Sequence, residues 1–180
     1  MDIRIEKTER AIKAAFMELR AQKPLEKIKI KDLCTLAEIN KSTFYAHYQD
    51  IYALADQLEN ELIDAILASL PEFDSIDIRE RSDWLARELF RAFVAHKRDV
   101  EILFSGSRQG LFANRIEAGL RAHLNATDPT FAADPARGIV LSFCVQGCYY
   151  AFANHSGQMD ENRLVALLAA IAHAAQRLEA

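Results

Sequence analysis

The stretch that decides the fold is IKIKDLCTLAEINKSTFYAHYQDIYALA, which runs from Ile28 to Ala55. Its leucines recur at helical spacing and predict a short amphipathic helix over about 31–37. A second short helix is expected over about 42–48, with Ser42 as its N-cap. Two short helices joined by a tight turn are typical of a helix-turn-helix motif, so the stretch predicts one.

The second predicted helix is unusual for a structural element, because aromatic residues and a histidine crowd into it. Phe44 and Tyr48 lie four residues apart, share one helix face and can serve as core. The remaining side chains point elsewhere: Thr43, Tyr45, Ala46 and His47. A hydroxyl can donate to a phosphate and a methyl group can contact thymine, so these side chains fit a surface that reads DNA in the major groove.

The rest of the chain predicts an all-α fold. The alternating stretch Lys27–Lys31 looks like a strand, but no second run can pair with it, so we expect an extended lead-in that buries both isoleucines. Asp50 is the expected cap of a long helix that ends at Pro71, and Asp134 and Asp160 are the expected caps of the last two helices. Helices are predicted over about 4–22, 50–70, 78–98, 108–125, 135–157 and from 160 onward, with a polar linker over 72–77.

As a set, these features resemble the tetracycline-repressor (TetR) family of bacterial transcriptional regulators. The resemblance covers about residues 8–58 and rests on Ile28-x-Ile30-x-Asp32-Leu33, on Ala37-x-Ile39-Asn40-Lys41-Ser42-Thr43-Phe44-Tyr45-x-His47-Tyr48, and on Asp50 before a leucine-rich helix. It implies a DNA-binding helix-turn-helix domain over 1–49 and a larger helical ligand-binding and dimerisation domain over 50–180. It further implies a homodimeric repressor that binds a palindromic DNA operator and is released by a small-molecule effector.

The resemblance also implies which residues contact DNA, with Ala46 at a variable, sequence-reading position. Together with two lysines, the expected contacts are Lys31, Lys41, Ser42, Thr43, Tyr45, Ala46, His47 and Tyr48. Three positions depart from the family pattern. Glu38 replaces the usual turn glycine, which predicts either a left-handed residue or a slightly different turn. Lys29 replaces a common helix cap, and Ile51 replaces a lysine that often contacts phosphate. Compensating phosphate contacts are expected from Lys27, Lys29, Lys31 and Lys41.

The charge of the chain is unevenly distributed. Its 180 residues carry a net charge of −4, which by itself argues against a polyanionic partner. Residues 1–48, however, hold ten basic and seven acidic side chains, so this segment is positive and the remainder is negative. A solvated helix face explains the same lysines equally well. No apolar run is long enough to span a bilayer and no signal peptide is recognised, so we expect a cytoplasmic protein without a membrane partner.

No catalytic constellation occurs in the sequence, so we expect neither an enzyme nor a bound cofactor or metal. The histidines lie on separate predicted helices, and no Gly-x-Ser-x-Gly or Glu-x-x-His spacing is present. The three cysteines form no CxxC motif. Cys144 and Cys148 share a helix face, which permits a redox or metal switch, although buried cysteine is more often plain core.

Two groups of apolar residues in the C-terminal domain suggest functional surfaces. Candidates for the wall of a ligand cavity, each also a candidate for plain core, are Phe90, Phe93, His96, Phe104, Phe112, Tyr149 and Phe152. The two closing helices carry seams suited to near-antiparallel packing, either in a dimer or within one chain. The seam residues are Val140, Phe143, Gly147, Tyr150, Leu164, Leu168, Ile171, Ala175 and Leu178.

One alternative to a regulator stays open. A helical protein-interaction or adaptor module can retain the helix-turn-helix fold without binding specific DNA. The residues at Glu38 and Ile51 are the best arguments for it, because each removes a feature that favours DNA binding.

Overall fold

The computed structural model describes residues 3–70 and 82–177, which form helices and turns without a strand. The all-α prediction is therefore confirmed. In these ranges the α-helices are α1 Ile3–Gln22, α2 Ile30–Leu36, α3 Lys41–His47, α4 Ile51–Ala68, α5 Ser82–Ala95, α6 Lys97–Leu103, α7 Leu111–Thr127, α8 Pro129–Ala133, α9 Pro135–His155 and α10 Glu161–Gln176. Short 3-10 turns lie at Leu25–Lys27 and Gly106–Arg108. None of the described helices combines the length and apolar character needed to cross a membrane.

Aspartates fix the beginnings of several helices. The Asp50 carboxylate accepts the backbone N–H groups of Tyr52 and Ala53 at 2.8 Å and caps α4, as predicted. Asp128, Asp134 and Asp160 likewise accept N–H groups at the starts of α8, α9 and α10. A side-chain oxygen at this position satisfies a helix N–H group that has no partner within the helix. The predicted caps Asp50, Asp134 and Asp160 are therefore confirmed.

Two predictions about local structure were only partly correct. The stretch Lys27–Lys31 is extended at Ile28 and Lys29 alone, because a 3-10 turn ends at Lys27 and α2 begins at Ile30. Ile28 is buried, but Ile30 is only half-buried. The helix predicted over 78–98 is also broken, since α5 ends at Ala95 and α6 begins at Lys97. Its predicted start and the predicted linker over 72–77 lie outside the described residues.

The helices group into two compact units. The first unit comprises the described residues of Met1–Leu62 together with Arg98–Gln109. The second comprises those of Ile63–Lys97 and Gly110–Ala180. The helix α4 contributes its first twelve residues to the first unit and its end to the second. The first unit thus contains the whole stretch that resembles the family module and a later segment of the chain as well.

Each unit has its own apolar core. In the first unit, Phe16, Leu33, Phe44 and Leu54 have no exposed surface and bring together α1, α2, α3 and α4. In the second unit, α10 packs on α5 and α9, and α7 packs on α8 and α9. Fully or nearly fully buried side chains there include Ile66, Ile116, Phe152 and Ala169. The core of the first unit therefore anchors the two short helices that the sequence singles out.

Candidate functional site

The turn between α2 and α3 is tight and contains one left-handed residue. Glu38 has a φ of +55°, which is the conformation that a glycine commonly supplies. The N–H of Ile39 donates to the Cys34 carbonyl at 3.0 Å and closes the end of α2. Of the two alternatives that the sequence left open, the left-handed residue is therefore the correct one.

Asn40, rather than Ser42, caps α3. Its side-chain oxygen accepts the Thr43 N–H at 2.8 Å, and α3 begins at Lys41, one residue earlier than expected. The same oxygen accepts the hydroxyls of Ser42 at 2.6 Å and Thr43 at 2.9 Å. The predicted cap was wrong because Ser42 lies inside the first turn, where its hydroxyl reaches back to the true cap. Lys29, the N-cap of α2, makes no side-chain capping bond, as its identity predicts.

The helix α3 has one buried face and one exposed face. Phe44 is fully buried and Tyr48 is 5% exposed, and their ring centroids lie 5.8 Å apart. Tyr45 is 55% exposed, and its ring meets Phe44 edge-on at 5.5 Å. Because α3 has only seven residues, the buried pair on one side fixes which side chains face the solvent.

The structure sorts the predicted DNA contacts into three groups. Lys31, Lys41, Ser42, Tyr45 and Ala46 are exposed. Thr43 and His47 are half-buried. Tyr48 is the exception, because its side chain lies in the core of the first unit and does not reach the surface. The prediction of Tyr48 as a surface contact is therefore corrected, and its predicted role as core is confirmed.

The Tyr48 hydroxyl is buried and has no hydrogen-bond partner. Burial raises the pKa of Tyr48 to about 12, with a smaller contribution from the Glu9 carboxylate. An unpartnered buried hydroxyl lowers stability by about 1–3 kcal/mol. Tyr48 therefore contributes packing area to the core while its polar end destabilises the fold.

Some lysines of the first unit form ion pairs and others do not. Lys13 pairs with Glu61 at 2.7 Å, and Lys23 pairs with Asp32 at 3.2 Å. Four exposed lysines make no ion pair with another described residue: Lys27, Lys29, Lys31 and Lys41. Ile51, which stands where a phosphate-binding lysine is common, is 7% exposed and belongs to the core. Positive charge is thus available from the four lysines that the sequence proposed as compensation.

A buried ionic cluster in the first unit was not foreseen from the sequence. Both oxygens of the fully buried Glu59 accept N–H groups of Arg108 at 2.6 Å, and Asp56 accepts another. The hydrogen bond with Glu59 raises the pKa of Arg108. Arg20 donates to the Ser105 carbonyl at 2.8 Å. These bonds attach the 103–108 segment to α1 and α4, and no local pattern signals them because the partners lie far apart in sequence.

The second unit contains an apolar cavity of about 80 Å³. Five of the seven predicted wall residues line it: Phe90, Phe93, Phe112, Tyr149 and Phe152. His96 does not line the cavity, and Phe104 is a core residue of the first unit, which is the alternative that the sequence left open for it. Cavities that hold drug-sized ligands measure about 300–1,000 Å³. Only a small ligand fits this cavity without movement of its walls.

Several predicted dimer-seam residues face outward. Phe143 is 62% exposed, Ile171 is 46% exposed, and Tyr150 is also exposed. A Cβ atom added at Gly147 would meet no other atom within 4 Å, so packing within the chain does not require this glycine. Val140 and Ala175 are half-buried.

Two other seam residues fit the alternative of packing within one chain. Leu164 and Leu168 are buried within the chain and belong to its core. Leu178 lies outside the described residues. The exposed face instead contains two residues that the sequence seam missed, Ile139 and Leu167. On α10, Leu167 and Ile171 form an exposed apolar face, and Leu164 and Leu168 form a neighbouring buried one. Because both faces are apolar, the sequence alone does not reveal which of them the chain covers.

No protein-family model matches the chain, and no curated protein matches it.

Proposed function

We propose that this chain is a ligand-responsive transcriptional regulator of the TetR type that binds a palindromic operator as a homodimer and acts as a repressor. The observation that carries the proposal is the two-sided character of α3. Phe44 and Tyr48 hold one side in the core, while Lys41, Tyr45 and Ala46 are presented to solvent. A short helix anchored in this way presents side chains of the types that contact phosphates and base edges.

The exposed groups suit the two kinds of contact that DNA offers. Lys41 and the lysines near α2 match the phosphate backbone, which supplies most of the salt-dependent affinity. Tyr45 offers a hydroxyl donor and an aromatic ring, and the Ala46 methyl group is suited to contact with a thymine methyl. We therefore assign Lys41 to positioning on the backbone and Tyr45 with Ala46 to contact with the bases.

The turn geometry also weakens one of the two arguments for an adaptor without DNA binding. That argument is the missing glycine, yet Glu38 adopts the left-handed conformation at that position. Non-glycine residues pay about 1 kcal/mol for this conformation, which the packing of α2 and α3 can offset. The other argument, Ile51 in place of a phosphate-binding lysine, is unaffected.

The second unit supports the proposed dimerisation and release. The outward apolar residues on α9 and α10 suit an isologous interface, in which the same patch is used by both protomers. The helix α4 is continuous from Ile51 to Ala68 and has residues in both units. We propose that a ligand in the cavity alters α4 and thereby the spacing of the two α3 helices, which must be about 34–36 Å apart to reach adjacent major grooves.

A gel-shift series against the promoter region of the protein's own gene tests the proposal. We expect a palindrome-dependent shift whose affinity falls by about 10³-fold or more between 50 and 200 mM salt, as expected for several phosphate contacts. Tyr45→Ala should weaken the shift at least about 10-fold, because it removes a base contact. Met159→Ala, a truncation of a similarly exposed side chain in the second unit, is the matched control. A shift that is insensitive to salt, or equal for both variants, contradicts the proposal.

A further inference from the structure

Two cysteines line the cavity of the second unit. Cys144 and Cys148 lie one helical turn apart on α9, and both are half-buried in the cavity wall. The Cys144 sulfur lies 3.9 Å from the Ala172 carbonyl oxygen, and the Cys148 sulfur lies 3.8 Å from that of Leu168. These carbonyls are themselves one turn apart on α10. Both thiols therefore lie along the same seam between α9 and α10 and border the same space.

We propose that Cys144 and Cys148 form a two-thiol binding site for a soft, thiophilic compound whose central atom bonds both sulfurs and leaves a neutral adduct. Mercuric ion and trivalent arsenicals that carry one organic group share this chemistry. The site stands on its own geometry; only its use as an effector site rests on the proposed function.

Helix geometry favours a bridging atom over a disulfide. Side chains four residues apart on a helix have Cβ atoms about 5–6 Å apart. A disulfide requires Cβ atoms about 3.5–4.5 Å apart, so direct oxidation of this pair would distort α9. An atom inserted between the sulfurs spans the wider gap. The pair thus suits a bridging ligand better than a redox switch.

The number of side chains available as ligands further limits which metal or metalloid compounds can bind. In the described part of the chain, no group of three or more His, Cys, Asp or Glu side chains is placed to hold a metal. A structural zinc ion takes four such ligands, whereas a mercuric ion or a mono-organic arsenical is satisfied by two thiols. Two cysteines are therefore enough for this class of compound and too few for zinc.

The apolar wall selects for a neutral product. Besides the two thiols, Tyr149 provides the polar side chain of a lining that is otherwise apolar. A charge left in such surroundings is costly because it loses its hydration. Copper(I) bound to two thiolates leaves a net negative charge, but a divalent mercuric ion leaves none. The cavity therefore favours the divalent ion or the neutral arsenical.

Both binding reactions exchange ligands at mercury or arsenic and require neither an oxidant nor a reductant. With mercuric chloride, two S–H bonds and two Hg–Cl bonds break, two Hg–S bonds form, and two protons leave with two chlorides. With phenylarsine oxide, two As–S bonds form and the oxygen leaves with both protons as water. Burial raises the pKa of the Cys148 thiol to about 11, with a smaller effect from Cys144. The Cys148 thiol therefore stays protonated at neutral pH, which slows reactions that need a free thiolate.

Native mass spectrometry of the full chain, with excess glutathione present, tests the site. One mercury or one phenylarsenic group per chain is expected, with loss of two protons or one water respectively. Mercuric ion should bind without rearrangement, whereas the arsenical requires the 80 Å³ cavity to widen. Binding of either compound through both cysteines supports the proposal. Comparing the two compounds shows whether the site accepts the mercuric ion, the arsenical or both.

Single substitutions provide the decisive variants. Cys144→Ser and Cys148→Ser should each weaken binding at least about 100-fold, because the second bond loses its intramolecular advantage. Cys34→Ser is the matched control, since Cys34 is a buried, isolated cysteine of the first unit. The corresponding alanine variants, checked for helix content by circular dichroism, separate loss of the site from loss of the fold.

Adducts that survive in both single variants, or no adduct with either compound, overturn the proposal. A gel shift run in parallel tests the proposed function independently of the two-cysteine site. A protein that forms the two-cysteine adduct but never binds an operator upholds the site and refutes the regulator.

Discussion

The exposed face of α3 and the exposed face of α9 with α10 differ in kind. On α3, the solvent-facing residues are polar or small, apart from Tyr45. On α9 and α10, Ile139 is 70% exposed and Phe143 is 62% exposed, and Leu167 and Ile171 are exposed as well. Both regions bury an apolar stripe within the chain, but only the second leaves another apolar surface outside. The first surface suits a polyanion, and the second suits a protein.

A charge placed on the apolar face should have the largest effect. Phe143→Glu is expected to weaken dimerisation at least about 100-fold, because a two-fold interface buries the new carboxylate together with its symmetry mate. The thermal midpoint of the monomer should change little, since this side chain is mostly exposed within one chain. Sedimentation velocity over a concentration series measures the dimer affinity.

Ile3→Glu is the control for this experiment, because Ile3 is 81% exposed on α1 and lies in the first unit. Equal dimer affinities for Phe143→Glu and the wild type would show that the apolar face of α9 has a different partner.

A substitution on the exposed polar face of α3 should have a smaller effect, and this effect should be on DNA affinity. Lys41→Ala should reduce DNA affinity and lower the slope of log affinity against log salt by about one unit, because one phosphate contact is lost. Lys23→Ala is the matched comparison, since Lys23 already pairs with Asp32 at 3.2 Å. Fluorescence anisotropy with a labelled operator measures both slopes. An unchanged slope for Lys41→Ala removes this lysine from the interface.

The smallest effect distinguishes Tyr45 of α3 from Tyr48, which follows the helix directly. Tyr48→Phe removes the unpartnered buried hydroxyl and should raise the free energy of unfolding by about 1 kcal/mol without weakening DNA binding. Tyr45→Phe should weaken DNA binding and leave stability unchanged. Urea denaturation and gel shifts measure the two properties. Loss of DNA affinity in Tyr48→Phe would return this residue to the interface.

The same variant should change the pH dependence of stability. The pKa of Tyr48 is about 12 in the folded chain and about 10 when a tyrosine is exposed. Between these values the unfolded chain releases the proton while the folded chain keeps it, so stability falls as pH rises from 10 to 12. Tyr48→Phe should lack this part of the decline.

Local signals predicted much of the first unit. Asp50 as a cap and Phe44 with Tyr48 as a buried pair follow from short-range geometry, which spacing along a helix encodes. The left-handed Glu38 was one of two alternatives for the same reason. The cap of α3 was misassigned by two residues because Asn40 and Ser42 both have suitable side chains.

Sequence by itself determined the helical class, most helix boundaries and the residue types on α3, because each depends on neighbours a few positions away. Only the tertiary structure decided which face of α10 is buried and which residues surround the cavity. It also decided that Glu59 meets Arg108, and that Phe104 belongs to the first unit. These features depend on contacts between distant segments, and hydrophobic periodicity does not specify which partner covers an apolar face.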